Sequence, residues 1–484
     1  MLSPSTLAIA LIVIYLIVIQ IVSYFAHRSS EETVEDFFIA SRSTGIIALV
    51  GTMAATKING LALTTAPAFI YEGGILYSQT FLNLTIASLL SVYFGPLIWQ
   101  VCQRKQFITQ AELYADYYQS PVIYGLTTII GIVSTFPFLV VQFAAVGKIF
   151  AAATGNLVTY EESVILLAIF TGIYVFLGGA KAVIWTDVVQ GFVFMMLLLV
   201  STGLFMVWGG GLVQGWQTLT QVMPEKLVFN SNNTRVFIEQ SFSWSFAYFT
   251  WPHIFQRVMM GRSGKIVAQA SWGNFGIGFV VKIALLIMGI MGTATLYGRI
   301  NDSDQLVAEM FSLNFPLGGS IIILAVFACG MSSIDSVLLS VASIFTRDVV
   351  EKIFPQPMTE NSRYRLAQIV SLVVLVLAVM LTLSDFSRGY LAPVVTLGAT
   401  LATLLLWPLL GMFVWKDSTK EGTIAAMGLG LVTLLGTNIW EKSHNLLLPV
   451  GSTTITFLVS GFAFIFVSLL TNNITQNSQE KSLS

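Results

Sequence analysis

Thr56-Lys57-Ile58-Asn59-Gly60-Leu61 interrupts the apolar run that extends from 44 to 70, and Pro67 interrupts it again. A lysine, an asparagine and a glycine in succession are poor material for a helix centre in lipid, where every backbone group needs an internal partner. The same kind of interruption recurs five apolar runs later, where Pro252-His253 follows Thr250. Paired breaks of this kind free carbonyls and helix ends near the midplane, which is how secondary transporters of inverted-repeat design hold ions and solutes. Glycine and proline also serve simple packing and kinking in membranes, so one break alone would carry little.

The rest of the chain gives these breaks their setting. Of its 484 residues 55% are hydrophobic and only 10% charged, against roughly a quarter charged in soluble domains, which excludes a soluble fold. Runs of about 20 apolar residues each fit one membrane crossing as a helix. We place spans at 5–26, 44–70, 75–101, 120–149, 161–177, 185–208, 236–256, 268–297, 317–345, 366–384, 391–415, 422–440 and 447–471, thirteen in all. The first run has no Lys or Arg before it and is followed by His27 and Arg28, the reverse of a signal-peptide layout. With the N-terminus outside, fifteen Lys and Arg fall in cytoplasmic segments, Arg257 among them, and five in outer loops. That excess predicts an outside N-terminus and a cytoplasmic C-terminus. The loop at about 209–235 and the polar tail at 472–484 are too short to fold alone.

Other function classes find little support. The net charge of −1 gives no nucleic-acid signature. Cys102 and Cys329 make no disulfide framework or metal spacing. His27, His253 and His444 are scattered, with no nucleophile elbow, phosphate loop or zinc motif, so no enzyme is expected. The partners expected are a small solute and the lipid bilayer of the cell membrane, with no nucleic acid and no obligate protein partner.

Four motifs carry a family resemblance. Glu35-Asp36-Phe37-Phe38-Ile39-Ala40-Ser41-Arg42 follows the first span, and Gly178-Gly179-Ala180-Lys181-Ala182-Val183-Ile184-Trp185-Thr186-Asp187 joins spans 5 and 6. Met331-Ser332-Ser333-Ile334-Asp335-Ser336 leads to Phe345-Thr346-Arg347-Asp348, and Pro408-Leu409-Leu410 precedes Trp415-Lys416 and Thr419-Lys420-Glu421-Gly422. In this order they resemble the sodium:solute symporter family over most of the chain. The resemblance implies an all-α membrane protein with a LeuT-type 5+5 inverted repeat, spans 2–6 within 44–208 and spans 7–11 within 236–415. Span 1 at 5–26 and the two spans within 422–471 would be peripheral.

The resemblance also implies where ions and solute go. A dehydrated sodium ion needs about five or six oxygens. The family pattern supplies them here from Ala55 and Ile58 at the break of span 2 and from Cys329, Ser332 and Ser333 on span 9. Membrane serines also bond to the preceding helical turn, which is the structural alternative. Asp335 and Ser336 lie three and four residues beyond Ser332, on the same face one turn further on. With Asp187 they would form a second cation position or an exit path, and the two carboxylates could hold sodium or share a proton. Asp187 could equally cap a helix start after Thr186.

Lys57 departs from the family pattern, whose proline-symporter branch has an Asp there. An ammonium 5 Å from a sodium site would oppose the ion by ~3 kcal/mol at an effective dielectric of 20. Lys57 could be a counter-charge for an anionic solute, a resident substitute for the ion, or a titrating group that couples transport to protons. The solute is expected where spans 2 and 7 break, at Lys57, Asn59, Trp244, Tyr248, Trp251 and His253. The W-x-x-x-Y-F-x-x-P-H spacing from Trp244 to His253 is similar to the proline-symporter branch, and P-H recurs in relatives that carry monocarboxylates. Trp244 and Tyr248, i and i+4, would present one aromatic face, which could also be packing alone. Lys148 is expected to snorkel, and Lys282, mid-span 8, is left unassigned, an interior acid being one partner open to it. The expected activity is import of a small organic solute by cation symport, sodium first and proton as the alternative. A solute receptor of transporter shape is the rival class.

Overall fold

The computed structural model describes residues 3–58, 62–354, 358–384, 391–444, 448 and 450–483. Among them there are helices, short 3-10 turns and one isolated bridge, Thr44 to Gly261. Helix α1, Pro4–His27, is capped by the Ser3 hydroxyl and exposes much of its apolar surface. Short α2, Val34–Ile39, capped by Thr33, leads to the broken second span, α3 at Ile46–Lys57 and α4 at Ala62–Gly73. The expected Asn59 contact lies outside the described residues. Next come α5, Gln79–Lys105, the capping-box helix α6, Gln110–Tyr118, and α7, Pro121–Ala153.

Helix α8, Tyr160–Trp208, runs for 49 residues, about 73 Å at 1.5 Å per residue and far beyond one crossing of about 30 Å. It is two spans joined at Gly179, whose φ of 48° and ψ of −139° are not helical. The loop expected at 209–235 contains helix α9, Leu212–Val222. Span 7 is broken as expected, into α10, Ser231–Thr250, and α11, Pro252–Met259, with extended Trp251 between them. Then come α12, Gly264–Leu296; α13, Leu306–Asn314; and α14, Pro316–Ile344, which runs through a π-helical segment into α15, Glu351–Ile353. The chain continues with α16, Glu360–Leu383; α17, Leu391–Thr403; α18, Leu406–Phe413; α19, Lys420–His444; and α20, Ser452–Leu483. Helix α20 thus carries the expected polar tail on as helix.

Ten stretches among the described residues are long and apolar enough to cross a membrane. They account for the thirteen expected spans once 62–105 and 160–208 are each divided in two and the less apolar α10–α11 is added. The centre of the bundle is α14, which packs against α1, α3, α7, α8 and α16. Its inner surface is lined with hydroxyls and one carboxylate, Ser332, Ser333, Asp335, Ser336, Ser340 and Ser343, all buried. A lipid-facing helix could not carry these groups, and the interior position lets α3, α8 and α11 supply their partners.

Candidate ion and solute sites

Helix α3 stops because Ile58 turns to extended backbone, φ −96° and ψ 103°, and its N–H still reaches the Ala54 carbonyl at 3.0 Å. The carbonyls of Ala55 and Ile58 face α14. Ser332 Oγ lies 3.4 Å from Ala55 O, and Ser333 Oγ lies 3.5 Å from Ile58 O. Both hydroxyls reach back to Cys329 O, at 2.8 and 3.2 Å, and Cys329 Sγ is 2.8 Å from Ile58 O. The sequence-selected Ala55, Ile58, Cys329, Ser332 and Ser333 therefore bring five oxygens together between α3 and α14, all but Ile58 on buried residues. A serine hydroxyl has one proton, so each can donate to only one of its two carbonyl neighbours.

One turn along α14, Asp335 and Ser336 join a second polar cluster, again buried. Thr52 Oγ1 donates to Asp187 Oδ2 at 2.5 Å, and Tyr174 OH donates to Asp335 Oδ2 at 2.7 Å. Between the carboxylates and α3 sits the guanidinium of Arg257. Its Nε donates to Thr56 Oγ1 at 3.0 Å, its Nη2 donates to Ser336 Oγ, and Nη2 is 3.9 Å from Asp187 Oδ2. Among the described residues the second oxygens of Asp187 and Asp335 have no hydrogen-bond partner. Two expectations are corrected here. Asp187 caps no helix start, since α8 continues through it and its side chain turns inward onto Thr52. Arg257 is not a cytoplasmic loop charge, because α11 carries it into the bundle interior at 0% exposure.

A cavity of about 430 Å³ opens between α4, α5, α10 and α12. Lys57, Trp244 and Tyr248 line it as the broken spans lead one to expect, and so do Gln79, Gln240 and Asn274. The Trp244 and Tyr248 rings lie 5.4 Å apart, centre to centre. Trp251 and His253 do not line it. Trp251 is buried with Nε1 donating to Ser134 O at 3.1 Å, and His253 stacks on Phe138 with ring centres 5.6 Å apart. The extended residue at 251 turns these side chains toward α7; Trp251 backs Trp244 edge-on, with ring centres 6.0 Å apart, without reaching the cavity. Lys282 of α12 lines the same cavity as Lys57. Among the described residues it has no carboxylate partner.

Sequence reading passed over Arg257, Thr52, Thr56 and Tyr174. The available signal was weak: Thr52 and Thr56 stand one turn apart on α3, and an arginine follows the Pro252 break by five residues.

The fold has counterparts among known proteins. The chain is similar to the sodium/proline symporters of Staphylococcus aureus strains Newman and JH9, each 24% identical over 459 residues, covering 89% of this chain and 86% of theirs. Among solved structures, a sodium-coupled sialic acid symporter, captured substrate-bound and outward-open, aligns with a TM-score of 0.77, 16% identity and 97% coverage of both chains. MhsT in complex with L-phenylalanine aligns with a TM-score of 0.58 and 14% identity, covering 88% of this chain and 99% of that one. These neighbours share the LeuT-type helical fold. The sodium:solute symporter family model matches residues 37–430, and the chain belongs to that family of multi-pass membrane transporters.

Proposed function

We propose that this protein imports a small organic solute across the cell membrane by sodium symport, through alternating access between its two five-helix units. The observation that carries the proposal is the convergence of Ala55 O, Ile58 O, Cys329 O, Ser332 Oγ and Ser333 Oγ. Neighbouring oxygens at right angles around a hard cation, each about 2.4 Å from it, are about 3.4 Å apart. Ser332 and Ser333 stand 3.4 and 3.5 Å from the carbonyls of the opposite helix. In this reading the ion is cargo that holds α3 to α14 while it is bound.

Coupling follows from differential affinity. An ion bridging the end of α3 to α14 favours the arrangement in which both are in place, and that arrangement also sets Lys57 at the solute cavity one residue before Ile58. Once the ion leaves, the carbonyls and hydroxyls lose their common partner and the two helices are free to part. Asp335 and Ser336, one turn further along α14, and Asp187 of α8 supply the next oxygens on the way out. Arg257 between them balances one carboxylate charge, which favours passage over tight residence at that position.

Lys57 lines the cavity beside Trp244 and Tyr248, which favours its reading as a counter-charge for solute over that of a substitute for the ion. The experiment is uptake into proteoliposomes with sodium and proton gradients imposed separately. Sodium-driven uptake that is lost in Ser333→Ala supports the proposal. Uptake driven by protons alone and abolished in Lys57→Ala would replace it with proton coupling, and binding without translocation would replace it with a receptor.

A further inference from the structure

We infer that the solute is a small organic dianion, held between Lys57 and Lys282, and this rests on the cavity being the transport site of the reading above. Both lysines line one cavity of about 430 Å³, and among the described residues no Asp or Glu lines it with them. Neither forms an ion pair among the described residues.

Their positions exclude the usual uses of a membrane lysine. Lys282 stands 18 residues from the start of α12 and 14 from its end, about 27 Å and about 21 Å along the axis at 1.5 Å per residue. With α12 centred in a hydrocarbon core of about 30 Å, that position leaves about 12 Å to the nearer headgroup region, farther than a lysine side chain reaches, so it does not snorkel. Lys57 is the last residue of α3, beside the break; it lines this cavity and forms no ion pair with Asp187 or Asp335. Carboxylates are available inside this protein, yet Asp187 faces Arg257 and Thr52 while Asp335 faces Tyr174. Two ammonium groups lining one cavity repel each other and find no carboxylate there among the described residues, an imbalance that a partner with negative charge at both ends removes.

The remaining lining describes the body of that partner. Phe69, Trp244 and Tyr248 offer flat apolar faces, and Gln240 and Asn274 offer amide donors. A short dicarboxylate with an alkyl or aromatic core meets all of these: one carboxylate for each lysine and the core against the rings. A zwitterionic amino acid would set its ammonium against one of the two lysines, and a neutral solute would leave both uncompensated.

The test uses the full chain in proteoliposomes under an inward sodium gradient, with radiolabelled succinate and phthalate against propionate, benzoate and proline. Purified protein in detergent is scanned in parallel for thermal stabilisation by the same acids. The inference expects sodium-dependent uptake of a dicarboxylate, with its monocarboxylate counterpart at least tenfold weaker. Lys57→Met and Lys282→Met should each raise the half-saturating dicarboxylate concentration at least tenfold while sodium alone still stabilises both variants. Uptake of proline or a monocarboxylate in preference, insensitive to Lys282→Met, overturns it and leaves sodium coupling intact. No stabilisation by either dicarboxylate, in protein that sodium stabilises, also overturns it. Dicarboxylate binding that persists where sodium has no effect would sink the coupling ion and leave this inference standing.

Discussion

The guanidinium of Arg257 and the carboxylate of Asp187 meet inside the bundle, 3.9 Å apart and essentially without solvent exposure. They come from opposite halves of the chain, α11 after the second break and α8 after the Gly179 turn, and both contact α3 through Thr56 and Thr52. The pair thus ties the helix that ends at the five-oxygen point to both halves of the bundle.

Removing both members should cost less than the sum of removing each alone. Arg257→Gln leaves the Asp187 carboxylate with Thr52 alone, and breaking a buried pair costs about 3–5 kcal/mol. The double variant Arg257→Gln with Asp187→Asn removes both charges and should be more stable than the sum of the single losses, by about 0.5–3 kcal/mol. Thermal unfolding of the four proteins in one detergent measures this. Strict additivity would show that the two charges do not sense one another.

At the five-oxygen point, the hydroxyls and the thiol should behave differently. Ser333→Ala deletes an oxygen, and an interaction with a charged group contributes about 1.5–3 kcal/mol, so the half-saturating sodium concentration should rise at least tenfold. Cys329→Ala keeps the backbone carbonyl that Ser332 and Ser333 share and loses only the contact from Sγ to Ile58 O. Its sodium dependence should stay within a few-fold of the parent. Sodium titrations of thermal stability compare the three, and equal losses in Ser333→Ala and Cys329→Ala would mean that the contacts serve packing alone.

How much of this was legible depends on where each signal resides. Spans were legible because lipid demands about 20 apolar residues of each, and the breaks because Lys57-Ile58-Asn59-Gly60 and Pro252 violate that demand locally. Ser332 and Ser333 were legible only through a motif, since their alignment with Ala55 and Ile58 depends on two helices more than 270 positions apart. Arg257 was not legible: near the end of an apolar run it counts as a loop charge, and only the docking of α11 against Thr56 and Ser336 carries it inside. Trp251 and His253 were misplaced for a related reason, because a helical repeat carried through the break assigns them the face of Trp244, and the extended backbone at 251 ends that repeat.

The two tryptophans therefore give opposite expectations. Trp251→Phe keeps the ring against Phe138 and loses the hydrogen bond to Ser134 O, which should lower stability by about 1 kcal/mol and leave solute affinity within a few-fold. Trp244→Ala removes a wall of the cavity and should weaken solute binding about tenfold or more. Half-saturation for uptake, measured beside unfolding temperature, separates them. A larger affinity loss in Trp251→Phe than in Trp244→Ala would move the solute away from this cavity.

Gly179 offers the sharpest test of the fold, because two constraints fall on one residue. Its φ of 48° lies in the left-handed region, and with ψ of −139° it occupies backbone space that L-residues avoid at a cost of about 1–3 kcal/mol. A methyl group added there would meet Phe37 O at 2.5 Å and the Phe37 Cα at 2.9 Å, backbone atoms that cannot rotate away. Phe37 belongs to α2, whose Asp36 pairs with Lys181 at 2.7 Å, so relief by movement would disturb that ion pair too. Gly179→Ala should therefore lower the unfolding temperature more than Gly203→Ala, where the added methyl meets nothing within 4 Å and alanine favours the helix by about 1 kcal/mol. Equal behaviour of the two variants would mean that spans 5 and 6 do not meet in the turn described.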